Sequence, residues 1–105
     1  MKFIETPIFT KEVQTLLEDD EYKSLQIALL LRPEQGSIIP GSGGLRKIRW
    51  ANKGKGKRGG LRVIYYWDPK TESFYMLLIY SKSKNDDLSQ DQLHILSQLV
   101  REELK

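Results

Sequence analysis

At 105 residues the chain is long enough for one domain with a thin core. It has no cysteine, which excludes disulfides, thiolate zinc sites and cysteine nucleophiles. A net charge of +3, with 30% charged residues of mixed sign and 39% apolar residues, describes a soluble globular chain and excludes a disordered one.

The N-terminal stretch MKFIETPIFTKEV has an early lysine but no apolar h-region, so it is not read as a signal peptide. No apolar run approaches the roughly 20 residues that a bilayer crossing needs, and the expected location is the cytoplasm. Lys2–Thr6 reads as a first strand closed by Pro7. Thr10 is the candidate N-cap of a short helix carrying Val13, Leu16 and Leu17. The acidic cluster Glu18-Asp19-Asp20-Glu21 suits the positive end of a second helix, which Pro33 ends. The two helices are expected to form a hairpin. QGSIIPGSGG, Gln35–Gly44, reads as a loop.

From there the apolar period changes to two. Leu45–Trp50 places Lys47 and Arg49 on one face and Ile48 and Trp50 on the other. Leu61–Trp67 is β-branched and aromatic, with Arg62 near its start and Tyr66 on the Arg62 face. After the turn Asp68-Pro69-Lys70-Thr71, Phe74–Tyr80 is almost continuously apolar, as a strand covered on both faces would be. Short connections predict an antiparallel meander, with KGKGKRGG (Lys53–Gly60) at the tip of its first hairpin. Ser89 with Gln92 forms a capping box for a last helix, whose stripe of Leu93, Leu96, Val100 and Leu104 packs on the body. His94, the one histidine, reads as a surface residue of that helix.

The charge is unevenly spread. Between Gly43 and Trp67 lie Arg46, Lys47, Arg49, Lys53, Lys55, Lys57, Arg58 and Arg62, with no acid among them. The remaining nine basic and fourteen acidic residues leave a net charge of −5 elsewhere. A concentrated positive field on one segment is an anion site, and nucleic-acid phosphate is the commonest large anion. Gly54-x-Gly56-x-x-Gly59 spells a dinucleotide-binding fingerprint, but it sits between two strands and opens no helix, so it is rejected. Asp86-Asp87 reads as a helix lead-in, and neither a metal nor a cofactor is expected.

Lys47, Arg49 and Arg62 can converge on a phosphodiester, with Lys82 and Lys84 following the last strand. Such a cluster can stabilise the extra charge of a pentacoordinate transition state, and on RNA the 2′-hydroxyl is a nucleophile already present in the substrate. The same cluster can also bind RNA and catalyse nothing.

The order strand, helical hairpin, glycine-rich loop, then GGLRKIRWANKGKGKRGGLRVIYYW and FYMLLIYSK, resembles the RelE/HigB toxins of bacterial toxin–antitoxin pairs, most closely the HigB branch. The resemblance spans essentially the whole chain, and its specific part runs from GGLRKIR to IYY. It implies a small α+β, RelE-like fold over residues 1–105: an N-terminal strand and helical hairpin packed on an antiparallel sheet of about four strands, and a C-terminal helix. It also implies a metal-independent, ribosome-dependent mRNA endoribonuclease that leaves a 2′,3′-cyclic phosphate and inhibits translation. The implied partners are a cognate helix-turn-helix antitoxin, mRNA and the 70S ribosome with its 16S rRNA. Carried over residue by residue, Lys47, Arg49, Arg62 and Lys82 are the candidate catalytic groups. Lys53, Lys55, Lys57, Arg58, Lys84 and Tyr80 are the candidate RNA-binding groups. The sequence departs from RelE at Ser83, where RelE has an arginine, and in having no tyrosine from Ser81 to Lys105. Lys57, Lys82, Lys84 and Tyr80 are therefore all candidates for the missing roles. The competing readings are a catalytically silent RelE-like module that binds RNA, the ribosome or an antitoxin, and a DNA-binding accessory protein.

Overall fold

The computed structural model describes residues 1–51, 60–82 and 88–104. The elements run β1 (Lys2–Glu5), α1 (Pro7–Leu16), α2 (Asp19–Leu31), β2 (Ser37–Ile38), β3 (Arg46–Trp50), β4 (Leu61–Asp68), β5 (Ser73–Ser81) and α3 (Gln90–Leu99), with a widened π-type turn at Val100–Leu104. The strands form one sheet in the order β1-β5-β4-β3-β2. The α+β architecture, the helical hairpin and the meander β3-β4-β5 follow the sequence reading. The sheet differs from the expected antiparallel one of about four strands. Among the described residues it has five strands, and it is mixed, because β1 runs parallel to β5.

From β1 the two helices carry the chain across the sheet to its far edge at β2, and the strands then return one by one until β5 lies beside β1. The junction of β1 and α1 is fixed on β5. The Thr6 amide donates to the Met76 carbonyl (3.1 Å), and its hydroxyl donates to the Leu77 carbonyl (2.9 Å). That same hydroxyl accepts from the Phe9 amide (3.1 Å), so Thr6, not Thr10, caps α1. Pro7 is the first helical residue, a position that needs no amide donor. Thr10 instead donates its hydroxyl to Glu5 (2.6 Å), which also accepts from the Tyr22 hydroxyl of α2. Burial and the Glu5 carboxylate push the Tyr22 phenol far up, so it remains a donor across the working pH range.

In α2 the Glu18 amide donates to the Glu21 side chain (3.0 Å), and Asp19, Asp20 and Glu21 lie at the positive helix end. The helix stops at Leu31, ahead of Pro33. The chain after it is pinned to the sheet. Tyr65 donates to the Pro33 carbonyl (2.8 Å) and accepts from the Gly36 amide (3.0 Å). A Cβ on Gly36 would meet the Tyr65 ring at 2.9 Å, so this close approach requires glycine. Arg46 donates to the Glu34 and Gly36 carbonyls (3.0 and 2.8 Å) and bridges the Glu34 carboxylate (3.3 Å). These contacts draw Ser37–Ile38 against β3 as a two-residue strand within the segment read as loop.

Both faces of the sheet are covered. The α1/α2 face buries Phe9, Val13, Leu25 and Leu29 against Ile48, Val63, Tyr65, Phe74 and Met76. The α3 face buries Leu96 and Val100 against Leu45, Ile64 and Leu77. Ser89 and Gln92 form the expected capping box (3.1 Å in each direction), and His94 is exposed. No helix among the described residues is long and apolar enough to cross a membrane.

Candidate functional site

The second face of the sheet, the one under α3, carries the predicted basic residues. On β3, Lys47 and Arg49 point to this face, while Ile48 and Trp50 join the opposite core. In the β3–β4 ladder Arg49 stands directly opposite Arg62, and in the β4–β5 ladder Arg62 stands directly opposite Tyr80. One cross-strand row therefore reads Arg49–Arg62–Tyr80. Directly opposed residues have Cβ atoms about 4.5–5.5 Å apart. Arg49 is exposed, Arg62 is only 4% exposed, and Tyr80 is half-buried. The Arg62 guanidinium also donates to the Leu61 carbonyl (3.3 Å). Lys47 lies two residues further along β3, opposite Ile64 on one side and Ser37 on the other.

Tyr80 reaches this row because of an irregularity in β5. Strict alternation from Phe74 would put Met76, Leu78 and Tyr80 on the α1/α2 face. The ladder instead pairs Ile64 with Leu78 and Tyr65 with Met76, leaving Leu77 as an inserted residue. A bulge of this kind shifts every following side chain to the other face. Leu78 and Tyr80 therefore pack with the α3 cluster, and Ile79 with the other.

The site's far end is set by Gly60. Its φ is +65°, and a Cβ there would lie 2.7 Å from the Trp50 carbonyl oxygen, a backbone atom that cannot turn aside. Its own carbonyl accepts from the Lys82 amide (3.2 Å), which anchors exposed Lys82 beside the row, two residues beyond Tyr80. Gly60→Ala is expected to destabilise the fold by at least about 1–2 kcal/mol for the left-handed backbone alone, measured by urea unfolding. A variant as stable as the parent would mean that the hairpin base relaxes without strain.

The structure thus brings Lys47, Arg49, Arg62, Lys82 and Tyr80 to one face or its end. Lys53, Lys55, Lys57, Arg58 and Lys84 lie outside the described residues. Arg46, part of the same basic run, is turned to structural use by Glu34 and the nearby carbonyls. Among the other aromatics near the patch, Trp50, Tyr65 and Trp67 belong to the opposite core. Tyr66 shares the Arg62 face but lies four residues along β4, paired with Tyr75 (centroids 6.3 Å). Burial, then the Asp68 charge and Tyr75, push its phenol up.

Sequence reasoning missed a groove beside Lys47. It has a volume of about 350 Å³ and lies between the β2 segment and the start of α3. Its walls include Ser37 and Pro40 on one side and Gln90 and Leu93 on the other. No sequence pattern marks it, because its two sides are far apart in the chain and meet only in the fold.

The profile of the family described as "RelE toxin of RelE / RelB toxin-antitoxin system" matches residues 30–105, which include every residue of the basic face. The chain belongs to the RelE toxin family. As a member of the RelE family it is the toxin component of a toxin–antitoxin system. The fold agrees: an E. coli RelE toxin carrying two arginine-to-alanine substitutions, solved in the free state, superposes with a TM-score of 0.58. That match covers 91% of this chain and 92% of RelE at 13% sequence identity. At so low an identity the likeness is one of backbone architecture, the RelE fold.

Proposed function

We propose that this RelE-family toxin is a ribosome-dependent mRNA endoribonuclease that inhibits translation, with the Arg49–Arg62–Tyr80 row and Lys47 as its active surface. The observation that carries this reading is the side-by-side placement of Arg49 and Arg62. Two guanidinium groups stand next to each other across the ladder, one exposed and one nearly buried. A phosphodiester offers both guanidinium groups an anion of matching geometry.

In this reading the 2′-hydroxyl of the message attacks the adjacent phosphorus. A base removes its proton, the bond to the 5′-oxygen breaks, and an acid protonates that oxygen. The products are a 2′,3′-cyclic phosphate and a 5′-hydroxyl. Arg62 and Arg49 bind the non-bridging oxygens and offset the charge that grows in the pentacoordinate transition state. In this reading Lys47 and Lys82, which flank the row, move the two protons, and Tyr80, beside Arg62 in register with its hydroxyl buried, lines the row. The antitoxin partner is proposed to be of the helix-turn-helix type, and the ribosomal contact to include 16S rRNA.

The test is primer extension on a defined message in a purified translation system, with and without ribosomes. New 5′ ends that require ribosomes are the expected result. Intact message, with the protein bound to ribosomes, would leave a silent binding module in place of a nuclease.

A further inference from the structure

We propose that the groove between β2 and α3 is a nucleobase subsite, receiving the base of a nucleotide that adjoins the phosphate held by Arg49 and Arg62. It rests on the RNA-binding half of the proposed function and adds to it a site of base discrimination.

Position is the first argument. Lys47 lines the groove and also lies on the active face, two residues from Arg49. Two residues of strand span about 7 Å, the scale of a single nucleotide step. An RNA strand whose phosphate sits on the arginine row thus has its neighbouring nucleotide at the groove mouth, with Lys47 beside the intervening phosphate.

Chemistry is the second. The walls formed by Ile39, Pro40 and Leu93 are apolar, as the faces of a planar ring require. Ser37 and Gln90 stand on opposite sides, and each side chain can donate and accept a hydrogen bond. Gln90 is not consumed by the helix start, since Ser89 and Gln92 cap α3. Lys47 gives the groove mouth a positive charge that suits an attached phosphate. A flat, uncharged ring with a hydrogen-bonding edge and an attached phosphate satisfies all of these features. The volume of about 350 Å³ is near the lower end for small-ligand sites, suited to one base.

The third argument is construction. One wall is β2, which Tyr65 and Arg46 hold against the sheet through Pro33, Glu34 and Gly36. The other wall is the capped first turn of α3. The groove is thus preformed on two anchored elements.

The experiment is an amide chemical-shift titration of the whole protein with each of the four nucleoside 3′-monophosphates, and separately with inorganic phosphate. Expected are saturable shifts at Ser37, Ile39 and Gln90 with nucleotides, accompanying shifts at Arg49 and Arg62, and shifts only at the two arginines with phosphate. Affinities should differ among the four bases. The double variant Ser37→Ala/Gln90→Ala, altered only at exposed positions, should lose about five- to tenfold in affinity for the preferred nucleotide and flatten the order among bases. Nucleotide shifts confined to Arg49 and Arg62 would overturn the subsite and leave the nuclease reading standing. A groove that responds to phenylalaninamide and to no nucleotide would overturn it in favour of a protein side chain. Base-dependent groove shifts in a protein that fails to cut ribosome-bound message would uphold the subsite and remove only the cleavage.

Discussion

Arg62→Ala is expected to slow cleavage of ribosome-bound message by about 10²–10³-fold or more, while ribosome binding falls far less. Arg62 is the buried member of the basic row, 4% exposed, between Arg49 and Tyr80. A charge held where water is largely excluded interacts more strongly with a developing anion than one in bulk solvent. Exposed Arg49 is screened by salt and carries less of this effect, so Arg49→Ala should cost less. Arg62→Lys keeps the charge but loses the planar fork, and should recover only part of the rate. Because a buried side chain is removed, urea unfolding must accompany the assay. Cleavage at the parent rate by folded Arg62→Ala would show that the row is not the reacting centre.

The second large effect is on stability. Phe74→Ala is expected to destabilise the fold by about 3–5 kcal/mol, against the roughly 5–15 kcal/mol available to a domain. Phe74 is fully buried on β5 and holds three strands together through its ring. It stacks on Phe3 of β1 (centroids 4.8 Å, planes 9° apart) and packs against Trp67 and Tyr65 of β4 (4.5 and 6.1 Å). Alanine would leave a cavity where β1 meets the meander, and the melting temperature should fall by about 15–30 °C. Phe74→Leu, which keeps much of the volume, should cost less than about 1.5 kcal/mol. A loss below about 1 kcal/mol for the alanine variant would mean that the aromatic stack is not what attaches β1.

Much of the architecture was legible because local rules and tertiary contacts agree. The period-two pattern of β3 assigned Lys47 and Arg49 to one face, and the ladder keeps them there. Ser89 and Gln92 marked the start of α3 by the capping box they form. The first helix begins about one turn before the Thr10 cap that the sequence predicts, because Pro7 occupies the first helical position behind the Thr6 cap. That cap is recognisable only once Thr6 is seen tied to β5.

From its own pattern the sequence specified the order of every element but β2, the helical hairpin, the meander, the basic face of β3 and the resemblance to RelE toxins. Each of these rests on neighbours in the chain: residue spacing, a proline, a capping pair, an unbroken run of positive charge. The tertiary structure alone decided the rest. It set β1 parallel to β5 and recruited Ser37–Ile38 as a fifth strand through Tyr65 and Arg46. It opposed Arg49 to Arg62 in register, which no spacing within either strand can specify. It also put Tyr80 beside Arg62, because the inserted Leu77 reverses the alternation that the apolar run FYMLLIY implies. A run buried on both faces carries no polar marker of which way each side chain turns, so only pairing with β4 could settle it.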